Sequence, residues 1–205
     1  MREAVGGFAA VRPAEPIDTA IDAGDGCAAA AARGGSRAER GPALLRGVAS
    51  AVLGVPATRV RVRSARCPDC GGEHGAPSAT AGIRRAWLSL AHAGPGSGAV
   101  ASVNGSVGVD AVLADADPAP LVRMLPGTSR SDLLRQWTRV EAVLKADGRG
   151  LRVDPDRIRF LPSSQDARGP APRGAAELDG TSYRLTELVL DGMLVTIAAA
   201  RAGAG

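Results

Sequence analysis

The sequence predicts an α+β fold with two similar halves, because a helix followed by strands occurs twice along the chain. With 205 residues, of which 45% are hydrophobic, the chain is long enough for one domain or two small packed halves. Residues 1–36 are rich in Ala and Gly and are expected to be weakly ordered. We therefore predict an N-terminal half over 37–105 and a C-terminal half over 106–205.

The N-terminal half begins with a predicted helix over 39–53, in which apolar residues recur at helical spacing until a glycine and a proline end it. A short strand over 60–62 and a loop over 67–77 follow. Three further strands are predicted over 87–92, 99–103 and 106–113. We expect the last two to be joined by a hairpin turn at Asn104-Gly105, which completes a meander.

The C-terminal half continues with a predicted helix from an N-cap at Ser131 to Asp147, where Gly148 ends it. A polar loop rich in Pro and Gly is predicted over 163–180. The remaining strands are predicted over 158–161, 183–190 and 193–200. The last two are expected to pair across Asp191-Gly192.

Composition narrows the classes of function. The isoelectric point near 9.6 favours an anionic partner, and an aromatic content of 2% argues against nucleic acid, which needs stacking side chains. The sequence has neither a long apolar run nor the layout of a secretory signal, so we expect a cytoplasmic protein that does not bind membranes. Three cysteines, an odd number, are expected to be reduced.

Three charged residues of the C-terminal half suggest a site. Glu141 falls inside the apolar arc of the second predicted helix, and Lys145, the only lysine in the sequence, lies one turn further on. The two could form an i, i+4 surface pair, or Glu141 could bind a hard cation such as Mg²⁺ while Lys145 meets an anionic substrate. Asp110, near a strand end, is either a solvated residue or a second ligand. A single lysine in an otherwise arginine-rich chain suggests a role that arginine cannot fill, and this favours the metal site.

A second candidate site is the loop that contains Cys67, Cys70 and His74. The spacing is similar to that of zinc ligands, but a structural zinc site needs four, and the third cysteine, Cys27, lies in the segment expected to be weakly ordered. We therefore expect thiols that pack without a metal. A basic zinc-containing binding module stays open as a separate functional hypothesis.

Two motifs in the C-terminal half resemble the paired signatures of the 4'-phosphopantetheinyl transferase family. They are the run Gly108-Val109-Asp110-Ala111-Val112 and the run from Trp137 to Lys145, which is followed by Gly148-Arg149-Gly150-Leu151. Upstream, Leu88-Ser89-Leu90-Ala91-His92 resembles the family's short strand ending in Ser-His, and the 67–77 loop resembles one found in many actinobacterial members. The resemblance covers roughly residues 37–200. It suits the larger, pseudo-dimeric type, in which two similar α/β halves related by a pseudo-two-fold form one active site at their interface.

The resemblance implies an enzyme that transfers the 4'-phosphopantetheine arm of coenzyme A to a serine of an apo acyl or peptidyl carrier protein and releases 3',5'-ADP. It implies that Mg²⁺ lies between Asp110 and Glu141 and binds the coenzyme A pyrophosphate. Glu141, or a water that the metal binds, would act as general base, and Lys145 would steady the leaving 3',5'-ADP. We expect a monomer. The residues that would contact coenzyme A phosphates are Arg37, Arg40, His92 and Lys145.

Four positions depart from the family pattern. Val112 replaces a second acid, Ala91 replaces the serine before His92, and Ala76 and Val140 replace basic residues. Loss of a charged hydrogen-bonding group costs about 1.5 to 3 kcal/mol. The departures keep open the alternative of a degenerate member that binds coenzyme A or a carrier protein without efficient turnover.

Overall fold

The computed structural model describes residues 20–161 and 173–201, which form an α+β fold with two antiparallel sheets and two helices. The strands of the six-stranded sheet are β1 (Ile21–Gly24), β2 (Cys27–Arg33), β3 (Arg61–Ser64), β4 (Pro77–Ala81), β5 (Arg84–Ala93) and β6 (Gly96–Ser102). The strands of the five-stranded sheet are β7 (Val107–Leu113), β8 (Arg159–Leu161), β9 (Arg173–Leu178), β10 (Thr181–Leu190) and β11 (Met193–Ala200). The helices are α1 (Arg37–Leu53) and α2 (Leu133–Asp147). The predicted α+β class is confirmed.

The two sheets pack against each other, and each carries one helix on its outer face. Alternate residues of the strands, such as Val100 and Val195, fill the layer between the sheets. Helix α1 buries Leu44 against the six-stranded sheet, and helix α2 buries Val143 against the five-stranded sheet. The chain therefore forms four layers, with α2 lying over β7 and β11.

The two sheets share one strand order. From β2 the first sheet runs β2-β6-β5-β4-β3, and the second runs β7-β11-β10-β9-β8, with β1 as an extra edge strand in the first. In each, a single helix follows the first strand of the series. The same connectivity is thus used twice along the chain.

The seam between the sheets lies where β5 contacts β7. The backbone N–H of Val109 donates to Ser89 Oγ at 3.1 Å, and this bond is buried. Because β7 is an edge strand of its own sheet, the serine satisfies an N–H that has no neighbouring strand to accept it.

Residues 1–36 were expected to be weakly ordered, but residues 20–36 form regular structure. This part contains β1 and β2, and β2 lies inside the sheet between β1 and β6. Ala28, Ala29 and Ala30 are buried. Alanine has low strand propensity, so its run gives no strand signal, but its small side chain lets α1 and the second sheet pack on both faces. Residues 1–19 lie outside the described residues.

The predicted meander is wrong at its last connection. Strand β6 pairs with β2 and β5, so both of its edges are occupied, and β7 joins the other sheet. Asn104 does not adopt the positive φ that a two-residue hairpin turn needs; its side-chain amide instead donates to the carbonyl oxygen of Asp25 at 2.8 Å. Residues 103–106 therefore cross from one sheet to the other.

Other turn predictions agree better with the structure. Asp191 and Gly192 have φ values of 49° and 70° and join β10 to β11 as expected. Helix α2 ends at Gly148, also as expected, but its N-cap is Asp132 rather than Ser131. The end of the predicted 163–180 loop forms β9, while residues 162–172 lie outside the described residues.

Neither described helix has the length and apolar character needed to cross a membrane.

Candidate functional site

Gly108 allows α2 to lie directly on β7. A Cβ at this position would be 2.0 Å from the carbonyl oxygen of Ala142 and 2.5 Å from the amide nitrogen of Ala146, both backbone atoms of the helix. Since side chains alternate along a strand, Asp110 lies on the same face as Gly108. The close contact therefore brings the side chains of α2 to Asp110.

Asp110 and Glu141 meet at Lys145. The Lys145 Nζ atom donates to Asp110 Oδ1 at 2.6 Å and lies 4.0 Å from Glu141 Oε2. The first contact joins α2 to β7, and the second is the i, i+4 pair considered from the sequence. The shorter of the two is the contact between elements, so the fold brings all three residues together rather than pairing Glu141 and Lys145 alone.

Both carboxyl groups are largely withdrawn from water, with side-chain exposures of 12% for Asp110 and 20% for Glu141. Burial raises the pKa of each above its ordinary value, and Lys145 opposes the rise. For Glu141 the neighbouring charge of Asp110 raises the pKa further. Two hard oxygen donors with one ammonium between them leave a net negative charge, which a divalent ion matches better than a single lysine. The pair therefore fits Mg²⁺ chemically.

A cleft of about 640 Å³ lies beside this group. The first half contributes Arg37 from the start of α1 and His92 from β5, and the second half contributes Lys145. The loop before β4 adds His74 and Ala76 to the wall. Three of the predicted phosphate-contacting residues thus line one cavity, whose volume is in the range of small-molecule sites.

His92 is held in the cleft wall by a buried serine. Its Nδ1 lies 2.7 Å from Ser97 Oγ, and the same oxygen accepts a bond from Arg40 Nε at 2.9 Å. Burial lowers the pKa of His92, and the charges of Arg37, Arg40 and Lys145 lower it further. Because Nδ1 is engaged with Ser97, Nε2 is the ring nitrogen left for a ligand.

Arg40, which was predicted to contact a phosphate, is not among the residues that line the cleft. The residue is 7% exposed, and its Nη1 donates to the carbonyl oxygens of Gly34 and Gly35. These bonds close the turn between β2 and α1, while Arg40 Nε positions Ser97. Arg40 is therefore a buried structural cation, and Arg37 is the arginine of α1 that faces the cleft.

The four departures from the family pattern lie in different surroundings. Val140 and Ala91 are buried at 2% and 3% exposure, the first against the five-stranded sheet and the second between the sheets. Ala76 lines the cleft. Val112 is half-buried on the same face of β7 as Asp110. Ala76 and Val112 are therefore the two departures that change the surroundings of the site.

Two polar residues of the second half are buried. Glu187, on β10, accepts a bond from Arg139 Nε at 2.7 Å and is 4% exposed. Thr138, on α2, is buried and shares a hydrogen bond of 2.8 Å with Thr196. The sequence signal for Glu187 is an acid directly before the apolar run Leu188-Val189-Leu190 in a predicted strand. No such signal exists for Thr138, whose partner lies on a distant strand.

The predicted packing of the loop thiols is wrong, because Cys70 is exposed and Cys67 is half-buried. Their sulfur atoms and the His74 imidazole lie within 4.8 Å of one another. Backbone N–H groups of Cys70 and Asp69 bond to the Cys67 sulfur and hold the pKa of this thiol below its usual range. Cys27 is buried in β2, in the layer between the sheets, and does not belong to this group.

Neither a protein-family model nor a curated protein sequence matches the chain.

Proposed function

We propose that this protein transfers the 4'-phosphopantetheine arm of coenzyme A to a serine of an apo acyl or peptidyl carrier protein, in a Mg²⁺-dependent reaction that releases 3',5'-ADP. The observation that carries the proposal is the meeting of Asp110 and Glu141 around Lys145 beside a cleft. The two acids belong to the two runs that resemble the family signatures. Those runs lie on different elements, yet Lys145 contacts both acids.

The cleft is suited to an anionic ligand with several phosphates. Arg37, His92 and Lys145 line it, and each can donate to a phosphate oxygen. Coenzyme A carries a 3'-phosphate and a pyrophosphate. We assign Arg37 to the 3'-phosphate, His92 to a phosphate of the same cofactor, and Lys145 to the pyrophosphate, because Lys145 is the cation next to the acidic pair.

Asp110 and Glu141 are the residues that would hold Mg²⁺. Both offer carboxylate oxygens, the ligands that this ion prefers, and burial leaves both poorly solvated. When bound, the ion supplies positive charge to the pyrophosphate. Lys145, which neutralises Asp110 in the described structure, then has a phosphate oxygen as an alternative partner.

The remaining chemistry belongs to side chains of the protein. The oxygen of the carrier serine forms a bond to the phosphorus that bears the pantetheine arm, while the bond from that phosphorus to the ADP oxygen breaks. Glu141 accepts the serine proton as general base. Lys145 neutralises charge on the departing 3',5'-ADP. Positioning and charge neutralisation account for most of the catalysis in phosphoryl transfer.

We also propose that the two halves are related by a pseudo-two-fold, as in the larger type of the family. The shared strand order of the two sheets supports this relation. One chain contributes both walls of the cleft, so a monomer suffices for the reaction. The reactants, coenzyme A and an apo carrier protein, place the proposed reaction in the cytoplasm.

A second candidate function is binding of coenzyme A or a carrier protein without efficient turnover. It is favoured by Ala76, which lines the cleft where family members have a basic residue. Val112 leaves the site with one acid fewer on β7 than the larger type of the family has. Both changes weaken the binding of metal and phosphate rather than the stability of the fold.

The test is to incubate the full chain with coenzyme A, Mg²⁺ and an apo acyl carrier domain, and to follow the intact mass of the carrier. We expect a gain of one phosphopantetheine that depends on Mg²⁺, and a large loss of rate with Glu141→Gln. Calorimetric binding of coenzyme A without any mass gain would favour the second candidate. Absence of turnover, together with absence of calorimetric binding of both coenzyme A and the carrier domain, would exclude both.

A further inference from the structure

The loop between β3 and β4 closes tightly on itself. The Cys67 N–H donates to the carbonyl oxygen of Gly72 at 2.7 Å, and the Gly71 N–H donates back to the carbonyl oxygen of Cys67 at 2.8 Å. Further along, the Gly75 N–H donates to the carbonyl oxygen of Ala65 at 2.8 Å. These bonds form a compact knuckle, defined here as residues 65–76, whose backbone is set by its own hydrogen bonds.

Three side chains of types that can bind a metal lie close together in this knuckle. The sulfurs of Cys67 and Cys70 and the His74 imidazole lie within 4.8 Å of one another, and Cys70 Sγ is 3.0 Å from His74 Nε2. A Cβ on Gly72 would lie 3.0 Å from the His74 ring and 3.4 Å from the Cys70 sulfur. The glycine therefore leaves the space in which the imidazole folds back onto the thiol.

Packing in a core does not explain why these three side chains lie close together, since Cys70 and His74 are exposed and Cys67 is half-buried. Two sulfurs and one imidazole nitrogen suit a borderline-soft ion, whereas Mg²⁺ takes oxygen ligands. The site is therefore chemically different from the one at Asp110 and Glu141.

We propose that Cys67, Cys70 and His74 bind one Zn²⁺ ion, with water in the fourth position. The three ligand atoms lie within 4.8 Å of one another, and side-chain adjustment would bring them to the separations of a tetrahedral site, roughly 3.5 to 3.8 Å for Zn–S bonds of about 2.3 Å and Zn–N bonds of about 2.0 to 2.1 Å. This zinc site is a property separate from the proposed transferase function, and it does not depend on that function.

The zinc ion would also fix one wall of the cleft. His74 and the residues after it line the cavity. Asp69 lies between the two cysteines, and both of its carboxylate oxygens accept from Arg152 Nη1, beyond the end of α2, at 2.7 Å. The knuckle thus ties the first half to the second, and metal binding stabilises that connection.

The site can be tested by titrating the reduced full chain with Co²⁺ and then displacing it with Zn²⁺. We expect thiolate-to-cobalt charge-transfer bands, intense visible bands typical of tetrahedral cobalt, and saturation near one ion per chain. Cys67→Ser and Cys70→Ser should each weaken binding by more than about 100-fold, because even second-shell changes cost about 10- to 100-fold. His74→Gln should weaken binding while keeping the sulfur bands.

Two matched controls keep the result interpretable. Cys27→Ala removes the third thiol, which lies in an alanine-rich strand, and should bind cobalt like the parent. Glu73→Gln removes the exposed acid next to His74 and should also be neutral. A cobalt spectrum without thiolate bands, or bands that persist in the Cys67→Ser/Cys70→Ser double variant, would overturn the proposal. These readouts involve neither coenzyme A nor a carrier, so the zinc site and the transferase function can fail separately.

Discussion

A Cβ on Gly108 would lie 2.0 Å from the carbonyl oxygen of Ala142, so the bare backbone of residue 108 is what allows α2 to touch β7. Gly108→Ala should push the helix outward and separate Lys145 from Asp110. Since overpacking typically costs about 1 to 3 kcal/mol, we expect the free energy of unfolding to fall by an amount at the upper end of this range, measured by urea denaturation. Gly174→Ala on β9 is the control, because a Cβ there would meet its nearest atom at an ordinary 3.8 Å. Equal stability of the two variants would contradict the close-packing argument.

Lys145→Arg should keep the net charge and the fold but lower the rate of transfer. The ammonium lies 2.6 Å from Asp110 Oδ1, a position where a broader guanidinium would extend over the acidic pair. One misplaced charge-assisted contact, worth about 1.4 to 2.7 kcal/mol in the transition state, gives a loss of about 10- to 100-fold in the carrier mass assay. Arg85→Lys, at an exposed position of β5, should have no effect. A parent-like rate for Lys145→Arg would remove the catalytic role assigned to this lysine.

The depressed pKa of His92 should make stability depend on pH. Below the ordinary value of 6.5 the unfolded chain protonates this residue, while burial keeps it neutral in the folded protein down to lower pH. The unfolded state then binds more protons, so the free energy of unfolding falls with decreasing pH, by at most about 1.4 kcal/mol per pH unit for one group. Urea denaturation of the parent and of His92→Gln at several pH values isolates this contribution as the difference between the two curves. If the difference between the two curves stayed constant through and below pH 6.5, the lowered pKa of His92 would not contribute to the pH dependence of stability.

Mg²⁺ should raise the melting temperature of the parent but not of Asp110→Asn. An ion present at ten times its dissociation constant stabilises the folded state by about 1.4 kcal/mol, which corresponds to roughly 3 to 6 °C for a chain of this size. Differential scanning calorimetry with and without the ion measures the shift. Asp115→Asn, at an exposed position just after β7, should respond like the parent. If Asp110→Asn and the parent shifted equally, the ion would be binding elsewhere.

Both helices can be predicted from the sequence because their apolar residues recur at helical spacing and a left-handed glycine, Gly54 or Gly148, ends each one. The β10–β11 hairpin is equally local, since Asp191-Gly192 alone defines its turn. Strand β2 is different. Its alanines carry no strand signal, and it pairs with β6, far along the chain.

The candidate site could also be predicted only in part from the sequence. Asp110, Glu141 and Lys145 could be selected from their motif runs, but their meeting depends on Gly108, whose contact partner belongs to another element. Arg40 could not be judged from its neighbours in sequence, because one of its acceptors, Ser97, is 57 positions away. Bonds from Nε and Nη1 hold the Arg40 guanidinium inside the protein, whereas Arg37, one turn earlier, lines the cleft.

The bond from the Val109 N–H to Ser89 has a consequence for self-association. An edge strand with free N–H groups can recruit a strand from another molecule and so begin aggregation. On β7 this N–H is already occupied, and β5 lies against the strand. Another edge strand, β3, carries the exposed arginines Arg61 and Arg63, whose charges repel a second copy. The arginine-rich composition therefore helps to keep the molecules apart at this edge.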